Sequence, residues 1–344
     1  MVNGILLADK PQGLTSHDVV ARTRRALGTK KVGHAGTLDP MATGLLVLGA
    51  GASTRLLTHL VGLDKEYLAT IRLGQATATD DAEGEPIAGP GLEAALSASA
   101  TGDLVPQIAA GVATLTGEIM QRPSSVSAIK VDGRRAYDRV RAGEEVELAA
   151  RRVTVSAFEV LGVRGLDTAL RTYSTPEGLD TAFRAYSTHE PAPDDKAAIA
   201  FIDLDVRVEC SSGTYIRALA RDLGEALGTG GHLTALRRTR VGPFCVDEAL
   251  AVPEFGEPYA GAPLDPGTVA ARLFPVLRLD DAQAADLANG KRVHVDHPDA
   301  GTAAALAPDG RLVGLVGVEN GRTRVITNFP TDPAAGTPER GERR

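Results

Sequence analysis

The sequence predicts an α+β protein in which a large mixed, mainly antiparallel sheet with flanking helices and a central cleft is followed by a small C-terminal β-domain. Residues 199–208 alternate strictly between apolar and polar side chains, as expected of a strand with one buried face. An amphipathic helix then runs to about Leu227, and Arg217 at its start is expected to lie off its core face. Near the other end of the chain, turn residues separate three short strand-like runs at 302–306, 311–318 and 322–329.

The other elements can be justified one by one. Thr15 or Ser16 is suited to cap a helix over 17–27, because both side chains can accept a hydrogen bond from a first-turn N–H. In the strand at 67–73, Tyr67 shares the buried face with three apolar residues. The remaining predicted elements are a buried strand at 45–49, helices at 53–63, 104–115, 134–141 and 280–288, and strands at 146–148 and 153–163.

Composition divides the chain into a main domain at 1–252, a Pro/Gly-rich linker at 253–273, the β-domain at 274–330 and a polar tail at 331–344 that is predicted to be disordered. The main domain contains a tandem duplication at 165–190. Its first half, GLDTALRTYSTPE, is repeated as GLDTAFRAYSTHE with ten of thirteen positions identical. Two copies are too few for a solenoid, so we interpret the duplication as an insertion in a surface loop.

With 43% hydrophobic and 24% charged residues, the composition is that of an ordinary globular protein. We expect it to be cytoplasmic, because no run of 18 apolar residues could span a membrane and the N-terminus meets charged residues before any secretory core. Cys210 and Cys245 are too few for a disulfide framework or a zinc site and are expected to be reduced. His294 and His297 lack nearby cysteines, which favours surface histidines over a metal site.

The net charge of −7 argues against a protein that coats nucleic acid non-specifically. The charge is nevertheless uneven. Residues 1–60 hold seven Lys/Arg against three Asp/Glu, and residues 217–240 hold five Arg against two, while acid is concentrated elsewhere, as at Asp80, Asp81, Glu83 and Glu85. A solvated charged face explains either basic segment alone, but their joint position beside the motifs described next favours a local RNA-facing stripe.

Residues 33–44, GHAGTLDPMATG, form a loop that is built to hold one shape around Asp39. Its glycines permit backbone angles that other residues avoid, and Pro40 pushes the residue before it toward an extended conformation. An Asp-Pro pair in such a loop is most often a turn former. The buried strand that follows and the nearby His34 instead favour a carboxylate that a rigid scaffold aims at a substrate.

Five segments in order carry a family resemblance. They are GLTSHD at 13–18, GHAGTLDPMATGLLVLGAGASTRL at 33–56, KEY at 65–67, SAIKVDG at 127–133 and SSGTYIRALARDLG at 211–224. Together they closely resemble the signature of the TruB family of tRNA pseudouridine synthases. The resemblance implies the pseudouridine synthase fold, with a C-terminal β-domain similar to the PUA-type RNA-binding module.

The resemblance also implies roles for individual residues. Asp39 is the catalytic carboxylate, acting either as a nucleophile at C1′ or as a base at C2′ of the ribose, and Arg217 is the cation that keeps it ionised. Tyr67 stacks on the target uracil, and His34 enters the RNA loop and stabilises flipped-out bases. Further substrate contacts are implied for Lys130, which lies in the SAIKVDG segment, and for two cations elsewhere, Lys10 and Arg55.

The implied reaction converts uridine 55 in the T-arm of tRNA into pseudouridine without a cofactor or a metal, by a monomer that also contacts the acceptor stem. Two alternative functions fit parts of the sequence. A dinucleotide-binding loop at Gly49-Ala50-Gly51 lacks its third glycine, since Thr54 stands there. An RNA-binding or RNA-folding protein without chemistry remains open, and loss of function on substitution of Asp39 distinguishes the synthase from it.

Overall fold

The computed structural model describes residues 2–89, 91–92, 104–124, 130–131, 134–135, 148–164 and 201–329. The duplication at 165–190 and the tail at 331–344 lie outside the described residues. The chain divides into two compact units. Unit 1 comprises Met1–Pro40, Leu45–Val61 and Pro243–Arg344, and unit 2 comprises Met41–Gly44 and Gly62–Gly242.

The described residues form six labelled α-helices. They are α1 (Ser16–Ala26), α2 (Leu57–Val61), α3 (Val105–Thr114), α4 (Ile216–Ala226), α5 (Pro266–Leu273) and α6 (Asp281–Ala288). Short 3₁₀ helices cover Gly51–Leu56 and Val246–Glu248.

Eighteen strands are found in the same residues. The first nine are β1 (Gly4–Lys10), β2 (Val32–Ala35), β3 (Thr43–Ala50), β4 (Lys65–Leu73), β5 (Ala76–Thr77), β6 (Pro86–Ile87), β7 (Gly117–Gln121), β8 (Lys130–Val131) and β9 (Arg134–Arg135). The others are β10 (Arg151–Arg164), β11 (Ile202–Cys210), β12 (Gly231–Val241), β13 (Phe244–Cys245), β14 (Leu250–Ala251), β15 (Val276–Arg278), β16 (Ala300–Leu306), β17 (Leu312–Glu319) and β18 (Arg322–Asn328).

In unit 1, β1 pairs in parallel with β14, and β2 pairs antiparallel with β3 so that His34 lies opposite Leu48. Helix α1 begins with a capping box. The Thr15 hydroxyl accepts from the N–H of Asp18 at 3.1 Å, and the Asp18 carboxylate accepts from the N–H of Thr15 at 2.8 Å. Thr15 is therefore the cap, which frees the Ser16 hydroxyl for another partner.

In unit 2, antiparallel strands follow one another in the order β12-β4-β11-β10-β7. The first two residues of β3, Thr43 and Gly44, run parallel to Arg237 and Arg238 of β12. Strand β3 thus belongs to both units. The buried face of β4 carries Tyr67 with its three predicted apolar neighbours, Ala69, Ile71 and Leu73.

The C-terminal part of unit 1 is a four-stranded sheet in the order β15-β16-β17-β18. Helix α6 begins at a second capping box, in which the Asp280 carboxylate accepts from the N–H of Gln283 at 2.7 Å. The helix packs its apolar side against the sheet, and the shared core is made of small and branched residues that include Leu287, Val313 and Val316. The large sheet of ten strands, its helices and this small sheet domain confirm the predicted α+β class, while the central cleft stays a prediction.

Three element predictions differ from the structure. Leu148, expected to end a strand at 146–148, lies outside any strand, and residues 146–147 are not among the described residues. Arg134–Arg135, expected to open a basic helix, form a strand paired with Lys130–Val131, because the Asp132-Gly133 pair between them is a hairpin signal. Residues 136–141 lie outside the described residues. The stretch expected to be a linker contains α5, whose cap Asp265 accepts from the N–H of Thr268 at 2.9 Å. Among the described residues, no helix is both long and apolar enough to span a membrane.

Gly44 is a position that the packing restricts to glycine, and it yields the first prediction. Its φ is +96°, and an added Cβ atom would lie 2.3 Å from the carbonyl oxygen of Arg238. Gly117 is a matched control, because its φ is +94° and no atom lies within 4 Å of the same position. Gly44→Ala should lower the free energy of unfolding by about 2 kcal/mol more than Gly117→Ala, as measured by urea denaturation. Equal losses would contradict this packing argument.

Candidate active site

The loop that carries Asp39 is held on both sides of that residue within unit 1. Before Asp39, the backbone N–H of Leu38 donates to the Ser16 hydroxyl at 2.9 Å, and the same hydroxyl donates to the Leu38 carbonyl at 3.1 Å. After it, the Pro40 carbonyl accepts from the N–H of Gly13 at 2.9 Å. The backbone around Asp39 is therefore fixed by the segment between β1 and α1.

Lys10 also holds this loop, through hydrogen bonds to backbone carbonyls. Its side chain is fully buried, and Nζ donates to the carbonyls of Pro11 at 3.0 Å, Leu14 at 2.6 Å and Pro40 at 3.3 Å. An ammonium group has three N–H donors, so each donor has a carbonyl acceptor here. The sequence resemblance implied a phosphate contact for Lys10. The structure instead gives it a place beneath the loop, where its charge is withdrawn from solvent.

Two other predicted contact residues lie in unit 1. His34, on β2, is half-buried, and its ring meets the ring of His17 edge to face with centroids 5.6 Å apart. Arg55 is exposed, and its Nη1 donates to the Asn328 carbonyl on β18. Arg55 thus contacts the C-terminal sheet of the same unit through one of its five N–H groups.

Unit 2 contains the other two predicted catalytic residues. Tyr67 is 9% exposed and lies on β4 opposite Val208 of β11 and Arg238 of β12. Lys65, two residues earlier, is also buried, and burial together with the nearby Arg238 guanidinium lowers the pKa of Lys65 to about 8.

Arg217 is the second residue of α4, and its guanidinium is buried in unit 2. Its Nη1 donates to the Asp81 carboxylate at 3.1 Å and to the Thr79 carbonyl at 3.1 Å, and both partners of the ion pair are about 5% exposed or less. The helical pattern had suggested that Arg217 lies off the core face of α4. That expectation is wrong, because the burial of Asp81 supplies a polar partner inside the fold.

Asp81 is a site residue that the sequence pattern did not single out. Its other carboxylate oxygen accepts from the Thr79 hydroxyl and from the N–H of Glu83 at 3.1 Å. In the sequence, Asp81 is one of four acids between Asp80 and Glu85. A polar turn between two-residue strands carries no periodic signal that would indicate which of them is buried. Only the tertiary placement of α4 against this turn identifies Asp81 as the partner of Arg217.

A second ion pair joins the same turn to the same helix. Arg221, one turn after Arg217, places Nη1 3.2 Å from the Asp80 carboxylate and donates to Asp222 at 2.7 Å. Asp80 has a φ of +59°, and burial raises the pKa of its carboxyl group although the Arg221 guanidinium opposes that shift. Two successive acids are thus bound by two arginines on one face of α4.

Lys130 lies in the short hairpin of β8 and β9, and its side chain is outside the described residues. Within the described part of the chain, no group of three or more His, Cys, Asp or Glu side chains is arranged to hold a metal ion.

Three family models match segments of the chain. The family model described as "TruB family pseudouridylate synthase (N terminal domain)" matches residues 24–175. The model described as "tRNA pseudouridylate synthase B C-terminal domain" matches residues 217–255, and the one described as "tRNA Pseudouridine synthase II, C terminal" matches residues 274–330.

Relatives match over nearly the whole chain. It is 54% identical over 339 residues to tRNA pseudouridine synthase B of Leifsonia xyli subsp. xyli (strain CTCB07), covering 97% of this chain and 98% of the relative. It is 50% identical over 337 residues to tRNA pseudouridine synthase B of Arthrobacter sp. (strain FB24), covering 96% and 97%. A solved structure, "Structure of H/ACA RNP bound to a substrate RNA containing 2'-deoxyuridine", shares the fold with a TM-score of 0.58 at 21% identity, covering 95% of this chain and 85% of that one.

These matches define the class of protein as pseudouridylate synthase, an isomerase that acts on uridine in RNA. Within that class, the chain belongs to the TruB family.

The buried ion pair yields the second prediction. Asp81→Asn removes the charge that compensates Arg217, and breaking a buried pair by neutralising one partner costs about 3 to 5 kcal/mol. We expect a loss of about 3 kcal/mol in the free energy of unfolding, measured by urea denaturation. Asp80→Asn is the matched control and should cost less than about 1 kcal/mol, because its arginine keeps Asp222 and asparagine tolerates a positive φ. Equal effects of the two substitutions would contradict a special role for Asp81.

Proposed function

We propose that this chain converts the uridine at position 55, in the T-arm of tRNA, into pseudouridine. The observation that carries the proposal is the Asp39 loop. Its sequence has the TruB signature, and hydrogen bonds to Leu38 and Pro40 fix the backbone on both sides of the carboxylate. The names of the relatives that match almost the full chain support tRNA as the substrate.

The proposed reaction is an isomerisation in which atoms balance without a co-reactant. The bond between N1 of uracil and C1′ of ribose breaks, the uracil turns, and a bond forms between C5 and C1′. The proton on C5 is then lost and N1 carries a hydrogen, so the product has the same composition as the substrate. We propose that Asp39 performs the first step, as a nucleophile at C1′ or as a base at C2′.

In either role the Asp39 carboxylate must be ionised. Burial favours the neutral acid, whereas a cation about 4 Å away contributes roughly 4 kcal/mol at an effective dielectric constant near 20. We propose Arg217 as that cation, on the strength of the motif SSGTYIRALARDLG. Its ion pair with Asp81 holds the guanidinium in one orientation, which suits a group that has to act on a fixed carboxylate.

The target base must leave its stack before Asp39 can reach the ribose. Unstacking a nucleotide costs a few kcal/mol, which an inserted ring and a stacking surface can offset. We propose His34 as the inserted ring and Tyr67 as the stacking surface for the uracil. His34 is the penultimate residue of β2, five residues before Asp39, and Tyr67, on β4, is 9% exposed.

The remaining assignments concern binding. We propose Lys130 and Arg55 as contacts to RNA phosphates, and the C-terminal sheet as an RNA-binding module that reaches the acceptor stem. We assign Lys10 to the support of the Asp39 loop, because it is fully buried. We further propose that the chain acts as a monomer in the cytoplasm, a reducing compartment that suits the free thiols of Cys210 and Cys245.

The test is pseudouridine mapping with a carbodiimide adduct and primer extension on an unmodified tRNA transcript. Wild-type protein should produce one stop that reports uridine 55. Asp39→Asn should abolish the stop and leave the Kd for the transcript within about twofold, because the side chain keeps its size and loses only its charge. Asp281→Asn, an exposed acid in the first turn of α6, serves as the control and should retain full activity.

Two outcomes would contradict the proposal. A stop that persists in Asp39→Asn would remove Asp39 from the chemistry. Tight binding of the transcript by wild-type protein with no stop at all would favour an RNA-binding or RNA-folding protein without catalysis.

A further inference from the structure

An exposed phenylalanine stacks on the basic end of helix α1. The Phe255 ring is 67% exposed, and the Arg25 guanidinium lies over it with Cζ 4.7 Å from the ring centroid. A large apolar side chain that keeps two thirds of its surface in water gives up most of the stabilisation that burial provides. Its position therefore calls for a partner.

The backbone presents this ring at the tip of a tight turn. The N–H of Glu257 donates to the Glu254 carbonyl at 3.1 Å, which closes a four-residue turn around Phe255 and Gly256. Gly256 has a φ of +102°, and the Glu257 carboxylate accepts from the N–H of Glu254 at 3.3 Å. Arg22 and Glu254 form an ion pair at 2.9 Å that ties the turn to α1. The ring is thus held in place before any partner binds.

The surroundings of the ring are positively charged. Residues 22–31 contain five cations and no acid in a chain with a net charge of −7, and Arg24, Arg25, Lys30 and Lys31 are all exposed. Two acids of the turn offset part of this charge: Glu254, the partner of Arg22, and Glu257. Five cations against two acids leave an excess of three positive charges. A cationic surface around an exposed aromatic ring is the combination that binds a nucleic-acid strand by phosphate contact and base stacking.

The distance from the Asp39 loop follows from the helix itself. Ser16, at the start of α1, contacts Leu38, and Arg25 lies nine residues further along the same helix. At a rise of 1.5 Å per residue, Arg25 lies about 14 Å along the helix from that contact, and the Phe255 ring packs against the Arg25 guanidinium. It is too far to touch a uridine held at Asp39, but it is within reach of another part of the same RNA.

We propose that Phe255, Arg24, Arg25, Lys30 and Lys31 form a docking surface for substrate RNA outside the T-arm, with Phe255 stacking on an unpaired nucleotide. Stacking on Phe255 requires an unpaired base. In an isolated T-arm hairpin, the unpaired bases belong to the loop that is presented to Asp39. The base that stacks on Phe255 therefore comes from outside the T-arm. This inference rests on the proposed function and extends it to the rest of the tRNA.

The experiment compares a full-length tRNA transcript with an isolated T-arm hairpin, using Phe255→Ala and the matched control Phe201→Ala. Phe201 is also an exposed phenylalanine stacked on an arginine, with Arg72 Cζ 5.1 Å from its ring centroid, but it belongs to unit 2. Phe255→Ala should raise the KM and the Kd for full-length tRNA about tenfold and leave kcat and both hairpin values unchanged. Phe201→Ala should change none of these values.

Arg25→Gln should weaken binding of full-length tRNA and reduce the slope of log Kd against log salt concentration by about one contact. Unchanged binding in both Phe255→Ala and Arg25→Gln would overturn the proposal, and so would equal losses on tRNA and hairpin. A shift from dimer to monomer in sedimentation of Phe255→Ala would identify a second copy of the chain as the partner instead. The same Kd values can be measured in the Asp39→Asn background, where no reaction is expected. A result against the docking surface is therefore distinguishable from a result against the proposed function.

Discussion

The buried ammonium group of Lys10 is the constraint on which the Asp39 loop depends. Burial of a lysine costs several kcal/mol unless hydrogen bonds replace water, and here three carbonyls do so, two from the chain after β1 and one from Pro40. The Ser16 hydroxyl adds a donor and an acceptor on the other side of Asp39. Because Lys10 and Ser16 both lie within the first 16 residues, the N-terminal segment sets the position of a loop that lies more than 20 residues further along the chain.

Unit 2 also contains a buried cation, which is held in an ion pair. Arg217 and Asp81 are both buried, and each has additional hydrogen bonds to nearby backbone or hydroxyl groups. Such a pair contributes little net stability, but it allows few orientations of the guanidinium. Both units therefore use a buried cation to fix geometry: Lys10 fixes backbone and Arg217 is itself fixed by a carboxylate. In each unit, rigidity is obtained at a cost in desolvation that a purely apolar core would avoid.

The sequence was sufficient for the α+β class, for five of the six labelled helices and seven of the eighteen strands, and for membership of the family, because amphipathic periodicity and a long signature are local properties. It was not sufficient for contacts between distant segments. The family resemblance implied a phosphate contact for Lys10, and no periodic pattern around a lysine beside Pro11 indicates its burial. Asp81 was one of several acids in a polar segment, and Ser16 was one of two candidate caps, although its hydroxyl bonds Leu38. Each of these roles is decided by a partner 22 to 136 residues away, which local patterns do not encode.

The most direct test of this account is the single-turnover rate and the tRNA affinity of Lys10→Met, with Ser16→Ala as an independent variant of the same loop. If Lys10 supports Asp39, Lys10→Met should slow pseudouridine formation at saturating protein at least tenfold, while the Kd for tRNA and its salt dependence stay unchanged. Ser16→Ala should show the same split with a smaller loss, because it leaves the Lys10 contacts intact. A Lys10→Met protein that reacts at the wild-type rate when saturated, but binds tRNA more weakly with a salt slope reduced by about one contact, would contradict it and make Lys10 a phosphate ligand.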